Sequence, residues 1–167
     1  MRNVAWVTLV VTCLVAWLTI TPAPARAGAA SLNARERAVV RAINRQRAQY
    51  GLARVRASAS LARAANFHSG EMLRANYFAH ESANGGSFDA RLRRFTRRHV
   101  VGETIAWVRG GCGGGMAGRV VGMWMNSAGH RAVLLSSSFQ RVGIGARGGW
   151  LGGGPVCMVT ADFASRR

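Results

Sequence analysis

The chain has no lysine, and only six acidic residues stand against its 23 arginines. So few acids cannot neutralise the basic side chains, and the formal charge reaches +17. Other absences narrow the function. There is no G-x-S-x-G turn, which removes the strained nucleophile elbow of one large hydrolase class. There is no helical H-E-x-x-H stretch, so the helix that pairs two zinc-binding histidines with a general base is missing. No internal repeat and no regular strand–helix–strand rhythm runs along the sequence, which argues against a solenoid and a parallel α/β sheet. No nucleic-acid recognition motif appears, and aromatics are not interleaved with the basic run Arg91–Arg98; nucleic acid is not an expected partner.

Long apolar runs are lacking too, with one exception at the start. Arg2 is followed by an almost wholly apolar stretch from Val4 to Ile20, then by the small-residue site Ala25-Arg26-Ala27. This is the pattern of a secretory signal peptide over residues 1–27. A retained anchor is the alternative, since the run is about the length that spans a bilayer. Pro22 and Pro24, with the Ala-x-Ala site, favour cleavage. Cys13 lies inside the apolar run, without the small-residue context that lipid attachment needs. The expectation is a secreted, extracellular or periplasmic protein with no transmembrane segment after cleavage. Residues 28–167 then form a single domain, expected to be monomeric and long enough to bury about two-thirds of its unfolded surface.

Cleavage leaves Cys112 and Cys157, which read as a disulfide tying a glycine-rich loop to the last strand, with two buried free thiols as the alternative. It also leaves 21 arginines against six acids, a net charge near +15. Such a surface attracts an anionic envelope polymer, a lipid surface or an acidic surface protein through long-range electrostatics. Composition bias with a solvated surface explains the same charge without a partner.

Hydrophobic periodicity predicts a helix over 31–50, capped by Ser31 or Asn33 with Glu36 in its first turn and Gly51 at its end. A second helix is predicted over 58–75, with Leu61, Ala65, His68 and Met72 on one stripe. The aromatic turn Tyr77-Phe78-Ala79-His80 and the flexible Asn84-Gly85-Gly86 follow. Ser87–Phe95 reads as a short helix with Arg91, Arg93 and Arg94 exposed. Val100–Val108 alternates as a strand that places Glu103 among Val101, Ile105 and Trp107. Residues 110–115 read as a loop, and Met116–Asn126 returns to helical period. Asn126-Ser127-Ala128-Gly129 ends that helix and presents His130 on a connection. Strands are predicted over Arg141–Arg147 and Val156–Ala164, with 148–154 as a loop. The mixture implies an α+β fold, with helices packed on a small, largely antiparallel sheet.

Glu103 carries the sharpest chemical signal. A carboxylate on an apolar strand face is held charged only if a cation or hydrogen-bond donor meets it. The alternative is an edge carboxylate reaching water or a structural arginine. His80 and His130 both follow turn-forming residues, where binding groups concentrate, whereas the helical stripe of His68 suits a satisfied core histidine. Two imidazoles and one carboxylate could hold zinc or another divalent metal with an open coordination position. Ser69 beside His68, and Ser127 three residues before His130, are weak nucleophile candidates.

Five segments in this order resemble the CAP superfamily, the SCP-like extracellular or cysteine-rich secretory proteins, in its short bacterial secreted form. They are 61–69 (LARAANFHS), 77–80 (YFAH), 102–106 (GETIA), 124–131 (WMNSAGHR), and the closing 142–145 (VGIG) with Asp162-Phe163. The resemblance spans about 35–164. It implies an α-β-α sandwich with a central cleft of two histidines and acidic residues, which binds a divalent metal in some members. By matching motifs, His80, Glu103 and His130 fall on cleft positions, and His68, Asn126 and Ser127 complete the expected ligand-binding set. Thr104 stands in place of the usual Asn after the Glu, and Asn126-Ser127 stand where many eukaryotic members carry a second Glu. The resemblance implies a binding protein, in a family linked to sterols, lipids and protein contacts and occasionally to proteolysis. A metal-assisted peptidase or esterase using Glu103 as base is the alternative.

Overall fold

The structure, a computed structural model, describes residues 32–166. The signal peptide and Cys13 lie outside these residues. The elements run α1 (Ala34–Gln49), β1 (Arg56–Ala57), α2 (Ala59–Arg74), α3 (Phe88–Arg93), β2 (Val101–Arg109), α4 (Met116–Asn126), α5 (Ala128–Leu135), β3 (Arg141–Leu151) and β4 (Gly154–Ala164).

Helix α1 starts with a complete capping box. The Asn33 side chain accepts from the amides of Arg35 and Glu36, and the Glu36 carboxylate accepts from the Asn33 amide. Orphan donors at the helix start are thus satisfied reciprocally. The sheet order is β1-β3-β4-β2, with β1 parallel to β3 and the other pairs antiparallel. Cross-strand register assigns the two faces. One carries Gly143, Asp162 and Glu103 in a row, then Gly145, Thr160 and Ile105. The other carries Val142, Ile144, Ala146, Val159, Ala161 and Phe163, which join α1 and α4 residues in the main core.

Helix α2 covers the first face, and its closeness explains the glycines of β3. A Cβ at Gly143 would lie 2.0 Å from the Leu61 carbonyl carbon, and one at Gly145 would lie 2.4 Å from the Ala65 backbone. Only residues without side chains let the helix backbone rest on the strand here. Smaller clusters finish this layer, one of Leu61, Ala64, Leu92 and Ala164, the other of Met72, Ile105 and Met158. The result is the expected sandwich, with α2 and α3 on one side of the sheet and α1, α4 and α5 on the other.

Two further devices tie the layers. Cys112 and Cys157 form a disulfide across 45 residues, joining the glycine loop to β4. Arg47 is 1% exposed and donates to four carbonyls, those of Ala53, Leu134, Ser136 and Phe139. A buried guanidinium is tolerated when its donors are matched in this way.

Three expectations need correction. Arg91 is 3% exposed instead of solvated, because it is drawn inward by a buried carboxylate. Residues 148–151 continue β3, and β4 begins at Gly154, so the expected loop is a two-residue turn at Gly152 (φ +56°) and Gly153 (φ +83°). Glycine at both turn positions supplies the positive φ that a tight hairpin requires. His130 lies in the first turn of α5 and not on a connection. Ser127 leaves helical geometry (φ −100°, ψ 122°), but the Arg131 amide bonds back to its carbonyl at 2.8 Å and restarts the helix at once.

Gly145→Ala is expected to lower stability by about 3 kcal/mol or more, since backbone cannot step aside as a side chain can. Gly148→Ala, where a Cβ meets nothing within 4 Å, should stay within about 0.5 kcal/mol. Urea unfolding of both variants checks the difference.

Candidate functional site

Strand β2 is one edge of the sheet, opposite β1, and the cleft lies around its N-terminal end. His80 reaches it from the layer of α2, and Ser127, His130 and Val133 reach it from the layer of α4 and α5. The His80 and His130 ring centroids are 5.9 Å apart. Phe88, Val101, Val133 and Phe139 supply apolar wall, and the whole encloses about 540 Å³. Gly102 keeps the edge thin: a Cβ there would lie 2.7 Å from Phe139 Cζ and 3.2 Å from Val133 Cγ1.

His80 lies on an irregular segment, yet buried side chains hold its backbone from both sides. His68 Nε2 donates to the Ala79 carbonyl at 3.0 Å, and Arg91 Nη1 donates to the His80 carbonyl at 3.0 Å. His68 is fully buried and also sits 3.2 Å from Glu71, with burial lowering its pKa. It is the satisfied core histidine that its helical stripe suggests, supporting the cleft from behind. Glu71 in turn accepts from Tyr77 at 2.9 Å. Burial pushes the pKa of the Tyr77 phenol well up, and the Glu71 bond adds to this.

The Glu103 side chain is shut off from solvent. One oxygen accepts from His80 Nδ1 at 2.9 Å, and the other is paired with Arg91 Nη2. Burial favours its neutral form, but the His80 bond and the Arg91 charge win and bring its pKa below the usual value. Asp162 is its cross-strand register partner, 0% exposed, with its carboxyl set against that of Glu103. Burial, and then the Glu103 charge, raise its pKa well above the ordinary range. Two adjacent buried carboxyls cannot both ionise with one guanidinium between them. Glu103 carries the charge and Asp162 keeps a proton.

Of the expected set, His80, Glu103, Ser127 and His130 line the cleft. His68 lies behind it, and Asn126, the exposed last residue of α4, is not part of its lining. Glu103 stands behind His80, where it fixes the ring so that Nε2 is the nitrogen left without a hydrogen bond. Such a carboxylate orients an imidazole and sets its tautomer. The donor atoms lining the cleft beside Glu103 are those of the two imidazoles, Ser127 and the exposed Glu81. Among the described residues no group of three or more His, Cys, Asp or Glu is arranged to hold a metal ion. With no third ligand grouped with the two imidazoles, the set falls short of the three protein ligands usual for a catalytic zinc, so these residues do not fit a tightly held metal.

Arg91 and Asp162 are the residues that sequence reasoning missed as parts of this site. Asp162 carried the same signal as Glu103, an acid inside an apolar strand. Arg91 had no local signal, and only the demand of a buried carboxylate for a cation pointed to it.

The model of the cysteine-rich secretory protein (CAP) family matches residues 40–160. The chain belongs to this family. It is 34% identical over 128 residues to the uncharacterized protein YkwD of Bacillus subtilis, covering 76% of this chain and 46% of that protein. It is also 34% identical over 116 residues to the uncharacterized membrane protein YlbC of the same organism, covering 66% and 31%. This CAP chain thus spans less than half the length of these curated relatives. Its fold is similar to that of an SCP-domain extracellular protein from Bacillus anthracis (TM-score 0.65, 27% identity, 79% of this chain and 40% of that one). An outer surface protein from Borrelia burgdorferi shares the fold alone (TM-score 0.64, 17% identity, 78% and 92% covered).

Asp162→Asn tests the protonation of the carboxyl pair. A carboxyl whose folded pKa is raised binds a proton that the unfolded chain releases above about pH 4. Wild-type stability is therefore eroded as pH rises through that window, whereas the Asn variant is spared. The variant should gain on wild type in melting temperature between pH 5 and pH 8, and a constant difference would refute the assignment.

Proposed function

We propose that this CAP protein acts outside the cytoplasm, as an extracellular or periplasmic binding protein, and that its edge cleft takes an amphiphile with one neutral polar head. The observation that carries the reading is the pair of imidazoles, 5.9 Å apart, which with Ser127 and the exposed Glu81 form the polar side of a cleft walled by Phe88, Val101, Val133 and Phe139. Burial, followed by the influence of His80, lowers the pKa of His130, which favours the uncharged ring at neutral pH. The Glu103 charge is met by Arg91. With the Glu103 charge so paired, the imidazoles offer hydrogen bonds that suit a hydroxyl, carbonyl or amide. Apolar pockets with a few fixed polar groups are the common form of small-molecule sites. An extracellular location agrees with the N-terminal signal pattern and with the description of the Bacillus anthracis relative.

The hydrolytic alternative needs Glu103 as a base. Its ion pair with Arg91 and its bond to His80 lower its basicity, and a general base works best with a pKa near the operating pH. Binding is the reading the electrostatics favour.

Pyrenebutanol and butylpyrene, which differ by one hydroxyl, test the proposal by fluorescence titration. The alcohol should bind more tightly, and His80→Ala or His130→Ala should cost it about fivefold to tenfold, near the value of one hydrogen bond. The hydrocarbon should be unaffected by either change. Equal binding of both compounds, or silent histidine variants, would overturn the reading. Zinc gives a separate check: a severalfold molar excess should leave the melting temperature within about 1 °C, because a ligand stabilises only in proportion to its binding. A larger rise, lost in the two histidine variants, would put a metal in the cleft.

A further inference from the structure

Away from the cleft, a second groove lies between the C-terminal half of α2 and the outer end of β3. It encloses about 420 Å³ and is lined by Gly70, Leu73, Arg74, Arg147, Gly149 and Trp150. Trp150 is 66% exposed, the most exposed of the large apolar residues described. Burial of so large a ring is worth more than that of most side chains, so its presence in solvent beside a groove is unusual. Across the hairpin its register partner is the exposed Pro155, while Leu151 is half-buried.

The groove holds two cations. A Cβ at Gly70 would lie 3.0 Å from Arg74 Nη1 and 3.4 Å from both Cδ and Nε of Arg147. The two arginine side chains thus converge over one glycine, from α2 and from β3. Neither forms an ion pair or a side-chain hydrogen bond among the described residues. The adjacent acid, Glu71, is engaged by His68 and Tyr77. On the opposite wall, a Cβ at Gly149 would lie 2.9 Å from Leu73, so the floor is closed by packing and lined by glycine backbone.

Like charges held side by side without a counterion are relieved by an anion, and guanidinium groups match a carboxylate in a planar, bidentate manner. An exposed indole at the rim offers a flat apolar face to the C–H side of a rigid ring. A concave floor with one aromatic residue fits a ring-shaped unit better than a lipid surface, which calls for a wider apolar stripe. From this conjunction we propose that the Arg74–Arg147–Trp150 groove binds a carboxylated sugar unit of an acidic glycan. The site is separate from the edge cleft and does not depend on what that cleft binds.

Tetragalacturonic acid serves as the probe, measured by isothermal titration against the chain carrying residues 28–167. Trp150→Ala and the double variant Arg74→Gln/Arg147→Gln should each weaken binding by about tenfold or more, as truncation of anchoring aromatic and arginine residues does. All of these side chains are exposed, so melting temperatures should stay at the wild-type value. The control is Arg56→Gln/Arg141→Gln, a neighbouring pair on β1 and β3 that removes the same charge and should change affinity by less than about twofold. The proposal is overturned by an equal loss in the control pair, by a silent Trp150→Ala, or by no binding of the probe to wild type. It is also overturned if cellotetraose binds as well as the acidic sugar. Phosphatidylglycerol vesicles held through Trp150, with no binding of the acidic sugar, would assign the groove to membranes instead.

Discussion

The buried charge of Glu103 is the constraint around which the cleft is arranged. A carboxylate on an inner sheet face demands a cation, and Arg91 leaves the exposed side of α3 to provide it. The same guanidinium then bonds the His80 carbonyl and Ser82 Oγ. One ion pair therefore fixes both the orientation of an imidazole and the path of the chain that carries it. Removing one partner of such a pair leaves an uncompensated buried charge, which is far costlier than the pair itself is stabilising. Asp162 shows the other resolution of the same problem: a second carboxyl with no cation of its own stays neutral.

Position in the sheet matters as much as charge. Because β2 is an edge strand, residues from the two helical layers can meet around it, which they could not do across the sheet interior. His80 and His130, fifty residues apart in sequence, become neighbours for this reason. The small size of Gly102 and the wall made by Phe139, whose carbonyl is held by Arg47, complete the cleft without closing it.

Much of this was legible in the sequence. The stripe of Leu61, Ala65, His68 and Met72 marks a helix packed on the sheet, and the alternation around Glu103 marks an inward-facing acid. The start of α1 near Asn33, with Glu36 in its first turn, and the cysteine pair were also legible, although Ser31 stood as an equal candidate for the cap. What escaped was non-local. Nothing near Arg91 distinguishes it from its exposed neighbours Arg93 and Arg94, because its partner lies on another element. The glycines at 148 and 149 hide a strand, since a backbone ladder needs no side-chain pattern to continue. His130 looked like a loop residue because a single extended residue, Ser127, separates two helices that sequence periodicity could not join.

The Cys112–Cys157 bond encloses α4, α5, β3 and the start of β4 within its 45-residue span. In the chain-entropy account, a closure of that size restricts the unfolded chain by about 4 kcal/mol, a large share of the net stability of a domain this size. The oxidation state of the surroundings is therefore a component of the folding equilibrium. A newly made chain in a thiol-rich compartment is held together by its core alone, and it becomes durable only after the two sulfurs have met an oxidant.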